Sequence, residues 1–101
     1  MSIDLSLIKE VNFSRHQLRS IDRKAFAGFI NLSKINLRKN KLTVINTVDL
    51  FSGLLNLQEI NLYGNQLEFL YSEVFKGLAN LKKLDLSDNK LQVLDCNIFR
   101  G

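Results

Sequence analysis

The sequence predicts an α/β solenoid: a single domain over residues 1–101, coiled so that each turn is one repeat, with a parallel β-sheet on one side and loops and short helical turns on the other. Three observations predict it. The chain returns to the same apolar pattern after 24, 25 and 24 residues, starting at Ile8, Leu32, Leu57 and Leu81. Within each unit the fourth and sixth positions alternate as a strand does. Further on, each unit carries a Phe two residues ahead of a Gly, at Phe26, Phe51, Phe75 and Phe99. Self-similarity of this kind marks stacked units, none of which can bury its apolar face alone.

The units fall at residues 8–31, 32–56, 57–80 and 81–101, the last incomplete, after a flank at 1–7. Their strands are expected around Val11 and Phe13, Ile35 and Leu37, Ile60 and Leu62, and Leu84 and Leu86. Position eleven is Leu18, Leu42, Leu67 and Leu91, and position fourteen is Ile21, Ile45, Leu70 and Leu94. These positions are apolar in every unit and should form a columnar core. The four Phe imply a stacked aromatic row. Unit two has one extra residue between Ile45 and Phe51, expected in the return loop and without effect on strand register.

Composition removes several function classes. With 46% apolar and 24% charged residues and no Pro, the chain should fold, and it has no apolar run long enough to span a bilayer. One Cys (Cys96) and one His (His16) cannot supply an internal disulfide or a zinc site of the usual types. Three strand spacings separate the coils that carry them, on the order of 15 Å, which excludes a Cys–His dyad. No HExxH, GxSxG or phosphate-binding loop occurs, so neither an enzyme nor a cofactor is expected. The net charge of +4 is concentrated in residues 1–50. RKNK at 38–41 invites only weak, salt-sensitive attraction to polyanions, and nucleic acid is not expected as the partner.

The pattern LxxLxLxxNxL followed by a late FxGL resembles the leucine-rich repeat family, in the 24-residue form common in animal receptor ectodomains. The likeness covers residues 8–101 and implies a right-handed coil with its sheet on the concave face. It also implies that Asn40, Asn65 and Asn89 are scaffold residues, bonding backbone groups of their own and the neighbouring coil. His16 at the same position of the first unit departs from the pattern, as a frayed or capping coil would. Cys-rich caps are missing, so the chain reads as a fragment of a longer array or as one that self-associates through uncapped ends. The repeat type favours an extracellular location, although Met1–Phe13 does not read as a signal peptide. Asn12 and Asn31 lie in glycosylation sequons.

Function is expected on the outward columns of the sheet. Position three runs Glu10, Lys34, Glu59, Lys83, a self-neutralising ladder between strands ~4.8 Å apart. Position five runs Asn12, Asn36, Asn61, Asp85, for which amide stacking along the sheet is the expected explanation. Positions seven (Ser14, Arg38, Tyr63, Ser87) and eight (Arg15, Lys39, Gly64, Asp88) are expected to have no internal pairing. The expected protein-binding set is therefore Arg15, Lys34, Asn36, Arg38, Lys39, Asn61, Tyr63, Asp85, Ser87 and Asp88. Tyr63 leads it, because Tyr and Arg dominate interface energetics. Two alternatives stay open: a structural or self-associating segment without a ligand of its own, and weak binding of polyanions by the basic patch.

Overall fold

A computed structural model describes residues 3–45, 47 and 49–92. Four three-residue strands, β1 (Glu10–Asn12), β2 (Lys34–Asn36), β4 (Glu59–Asn61) and β6 (Lys83–Asp85), form one parallel sheet in the order β1-β2-β4-β6. β3 (Val44–Ile45) and β5 (Phe69–Leu70) pair in a second, two-stranded parallel sheet that the apolar pattern alone did not announce. Strands adjacent in the large sheet come from successive repeats, which is the solenoid expected from the period.

The register is that of the repeat. Glu10 faces Lys34, Lys34 faces Glu59 and Glu59 faces Lys83, with Val11, Ile35, Ile60 and Leu84 aligned one residue on. It holds across the longer second unit. The loop expected to absorb the extra residue includes Asn46 and Val48, which lie outside the described residues, as do Leu94, Cys96, Phe99 and Gly101. Backbone bonds extend the ladder past the strands. Phe13 N–H donates to Asn36 O, Leu37 to Asn61 and Leu62 to Asp85. Farther round, Lys41 donates to Leu18, Gln66 to Leu42 and Lys90 to Leu67.

Burial follows from stacking. Leu32, Ile35, Leu37 and Leu42 of the second coil and Leu57, Ile60, Leu62 and Leu67 of the third are fully enclosed, since each has a neighbouring coil on both sides. Their counterparts Ile8, Val11 and Leu18 in the first coil and Leu81, Leu84, Leu86 and Leu91 in the fourth are half-buried. The expected aromatic row exists for three members: the Phe51 ring stacks on Phe26 at 5.7 Å and on Phe75 at 6.0 Å between centroids. On this return side lie turns and one short 3-10 helix, Ser72–Phe75. A second 3-10 helix, Leu5–Leu7, precedes β1 and is capped by the Asp4 carboxylate, which accepts the Ser6 N–H.

Candidate functional site: the outer face of the four-stranded sheet

Two asparagine columns hold the turn that follows each strand, and they use different chemistry. At position nine, Asn65 Nδ2 donates to Leu37 O of the preceding coil and Leu62 O of its own, both at 3.0 Å, while Oδ1 accepts Leu42 N–H at 3.2 Å. Asn40 does the same with Phe13 O, Leu37 O and the N–H groups of His16 and Leu18, and Asn89 with Leu62 O, Leu86 O and Leu67 N–H. These are the scaffold roles the family resemblance implied. Each side chain must both donate and accept, and that makes an amide necessary. His16, the first-coil counterpart, is exposed.

At position five the structure corrects the expectation of amide stacking. The side-chain Oδ1 of Asn12, Asn36, Asn61 and Asp85 accepts the backbone N–H two residues on, from Ser14, Arg38, Tyr63 and Ser87, at 2.9–3.0 Å. These are local side-chain turns, of the kind Asn and Asp form where a strand ends. Only an acceptor is required, which explains why Asp85 can stand in the column. Bonds from the backbone and side chain of Ser87 hold the Asp85 carboxyl below its ordinary value. Among the described residues the Nδ2 groups of Asn12, Asn36 and Asn61 have no partner.

A third column, Asn31, Asn56 and Asn80, closes the opposite end of each unit. Asn31 Nδ2 donates to Ser6 O, Asn56 Nδ2 to Asn31 Oδ1 and Asn80 Nδ2 to Leu55 O. Its recurrence is visible in the sequence, but its pairing depends on which coils touch.

The charged column at position three is aligned as expected, with one short contact: Lys34 Nζ lies 3.6 Å from Glu10, the sole ion pair of that column among the described residues. Both side chains are solvent-exposed, so the pair contributes at most about 1 kcal/mol. A shallow groove of 340 Å³ runs over these columns, lined in part by Asn12, Lys34, Asn36, Glu59 and Asn61.

Positions seven and eight were expected to be unpaired, and here too the structure differs. The Arg38 guanidinium stacks over the Tyr63 ring, 4.9 Å from its centroid, and Lys39 Nζ lies at 6.0 Å. Tyr63 is half-buried under them, while Arg38 and Lys39 are exposed. Parallel register causes the contact, because it sets position seven of coil two beside position seven of coil three.

Position eight is left-handed in every coil, with φ of 60° at Arg15, 55° at Lys39, 71° at Gly64 and 55° at Asp88. This conformation accompanies a bond from the N–H of position eight to the position-seven carbonyl of the next coil: Arg15 to Arg38, Lys39 to Tyr63 and Gly64 to Ser87. A side chain in this region costs roughly 1–2 kcal/mol. Gly64 avoids that cost, and a Cβ there would sit 3.0 Å from Lys39 Cγ. The missing side chain leaves room for Lys39 to lie toward Tyr63.

The expected set thus divides. Asn36, Asn61 and Asp85 brace turns, and Lys34 is paired with Glu10. Arg38, Lys39 and Tyr63 are brought together. Ser87 donates to Asp85, and Arg15 and Asp88 stand exposed at the ends of their column. Among the described residues no group of three His, Cys, Asp or Glu could hold a metal ion, and no helix is long and apolar enough to cross a membrane.

The family model for leucine rich repeat matches residues 6–67 and 47–91. No curated protein matches the chain. Among solved structures, a chain of the TLR13–ssRNA13 complex superposes with a TM-score of 0.84 at 35% identity, over 92% of this chain and 13% of that one. The leucine-rich repeat protein LIC12759 of Leptospira interrogans gives 0.73 at 30% identity, over 85% of this chain and 21% of that one. A chain of the Toll–Spatzle complex from Drosophila gives 0.75 at 27% identity, over 81% and 11%. The present chain therefore spans a small part of each of these proteins.

Proposed function

This chain belongs to the leucine-rich repeat family, and we propose that it is a non-enzymatic interaction module whose four-stranded sheet meets a protein partner with its outer face, centred on Arg38, Lys39 and Tyr63. One observation carries the reading. The inward asparagines and the apolar columns are consumed by the scaffold, whereas the Arg38–Tyr63 stack lies in an outward column and closes no turn and no strand pair. A half-buried aromatic beneath an exposed guanidinium is the composition of an interface anchor, and stacking between coils holds it in place before any partner arrives. Two of the similar structures are complexes, one with single-stranded RNA and one with Spatzle. A protein fits this face better than a nucleic acid does, because Glu10, Glu59, Asp85 and Asp88 interrupt its cations and, among the described residues of these outward columns, no second aromatic accompanies Tyr63.

The test is photo-crosslinking in an extract of the source cells, with the reactive side chain placed at Ser14, beside Arg38 in the same outward column, or at Ser52, exposed on the return side. Capture of a protein from position 14 and not from 52 supports the assignment. Capture from 52 alone, or equally from both, overturns it, and capture from neither gives the chain the role of a spacer.

A further inference from the structure

From the geometry of the Arg38, Lys39 and Tyr63 cluster we infer that the sheet face recognises a carboxylate side chain of an acidic segment in its protein partner, with Tyr63 as the residue that positions Arg38. The inference rests on the sheet face being the binding face and adds the chemistry of what binds there.

The cluster is rich in donors and poor in acceptors. The Arg38 guanidinium carbon lies over the Tyr63 ring, 4.9 Å from its centroid, where the ring face favours a cation and a planar guanidinium can still offer its edge to a ligand. Neither Arg38 nor Lys39 has an ion-pair partner among the described residues, although Lys34 in the neighbouring column does. One side-chain turn back, the Nδ2 groups of Asn36 and Asn61 have no partner among the described residues, while their Oδ1 atoms are committed to Arg38 N–H and Tyr63 N–H. Asp85, the acid nearest in the column sequence, has an oxygen engaged by Ser87, and the Arg38 charge reaches its carboxylate only from beyond ion-pair distance. A guanidinium fork and an ammonium over one ring, with two amide donors on the same face, match an oxyanion.

The surroundings select a carboxylate over a chain of phosphates. Asp85 and Asp88 in the fourth coil bound the cluster on one side, so a polyanion running along the columns toward that coil would meet acids on leaving it, although Arg15 continues them toward the first coil. A single planar carboxylate satisfies the fork in bidentate fashion and stops there. Lys39 Nζ lies 6.0 Å from the centroid of the same ring, and the space over Gly64, where a Cβ would meet Lys39 Cγ at 3.0 Å, lets it lie there.

The experiment is fluorescence anisotropy at low salt with three probes: a labelled peptide carrying two Glu among Gly and Ser, the same peptide with Gln for Glu, and a single-stranded oligouridylate. The Glu peptide should bind about tenfold more tightly than the Gln peptide, and Arg38→Gln should remove that preference. Tyr63→Leu should weaken the Glu peptide about threefold, whereas Tyr63→Phe, which keeps the ring, should not. In the Arg38→Gln background Tyr63→Leu should have no further effect, an outcome that a general packing role for the ring would not produce. Equal binding of the two peptides, an unaffected Tyr63→Leu variant, or tighter binding of the oligouridylate than of the Glu peptide each overturns the inference. If crosslinking from position 14 succeeds while the Glu preference is absent, the binding face stands and its carboxylate chemistry falls.

Discussion

Replacing Asn65 by Asp should unsettle the coil, while the same replacement at Asn61, four residues earlier, should not. The Asn65 side chain is 5% exposed, and its Nδ2 donates to the carbonyls of Leu37 and Leu62 at 3.0 Å each. A carboxylate retains the acceptor for Leu42 N–H but sets an oxygen against those two carbonyls. Asn40 and Asn89 still donate to the same two carbonyls, so the loss is that of two bonds, about 0.5–1.5 kcal/mol each and about 1–3 kcal/mol together, to which a buried carboxylate facing two carbonyl oxygens adds; this is a large share of the roughly 5–15 kcal/mol by which a domain is stable. Asn61 uses only its acceptor, toward Tyr63 N–H at 2.9 Å, and Asp85 already fills that column with a carboxylate. Asn61→Asp should therefore stay within about 0.5 kcal/mol of the parent. Thermal and urea unfolding followed by circular dichroism, at pH 7 and near pH 4, measures both.

The pH dependence separates the two further. The carboxyl in Asn65→Asp is disfavoured when ionised, so its folded pKa lies above the unfolded value. The destabilisation is full above the folded pKa and shrinks as pH falls toward the unfolded one. The carboxyl in Asn61→Asp should have a lowered folded pKa, as Asp85 does, and whatever stability it adds is lost as pH falls through that value. Equal loss in the two variants, or a larger loss in Asn61→Asp, would refute the division of labour between the columns.

Other expectations follow from the same contacts. Phe51, 1% exposed and stacked between Phe26 and Phe75, should cost about 3–5 kcal/mol on truncation to Ala; Phe13, 38% exposed at the open face of the first coil, should cost distinctly less in the same unfolding assay. Ser87→Ala removes one of the bonds that lower the Asp85 pKa, so an NMR titration should show that pKa moving up toward the ordinary value. The stabilising contribution of Asp85, present above its unfolded pKa and lost as pH falls through its folded one, should narrow accordingly.

Much of the fold was legible because stacked repeats turn sequence position into space. Once Ile8, Leu32, Leu57 and Leu81 are aligned, the pairing of Val11 with Ile35, Ile60 and Leu84 follows, and so does the row of Phe rings. What stayed hidden depends on where a side-chain atom points once the chain turns. Asn at positions five and nine looks alike in a string of letters, yet one accepts a local N–H and the other bridges two coils. The left-handed backbone at position eight left a faint trace in Gly64 and Asp88, but Arg15 and Lys39 adopt it too, held by the bond to the next coil. Arg38 and Tyr63 were both selected for their chemistry, whereas their stacking arises from register combined with side-chain direction.

Nuclear Overhauser contacts from the Phe51 ring test the stacked coil most directly. Successive coils in register place that ring against Phe26 and Phe75 at once, and contacts to both, from units on either side, are the predicted result. A Phe51 ring in contact only with residues of its own repeat would contradict the account.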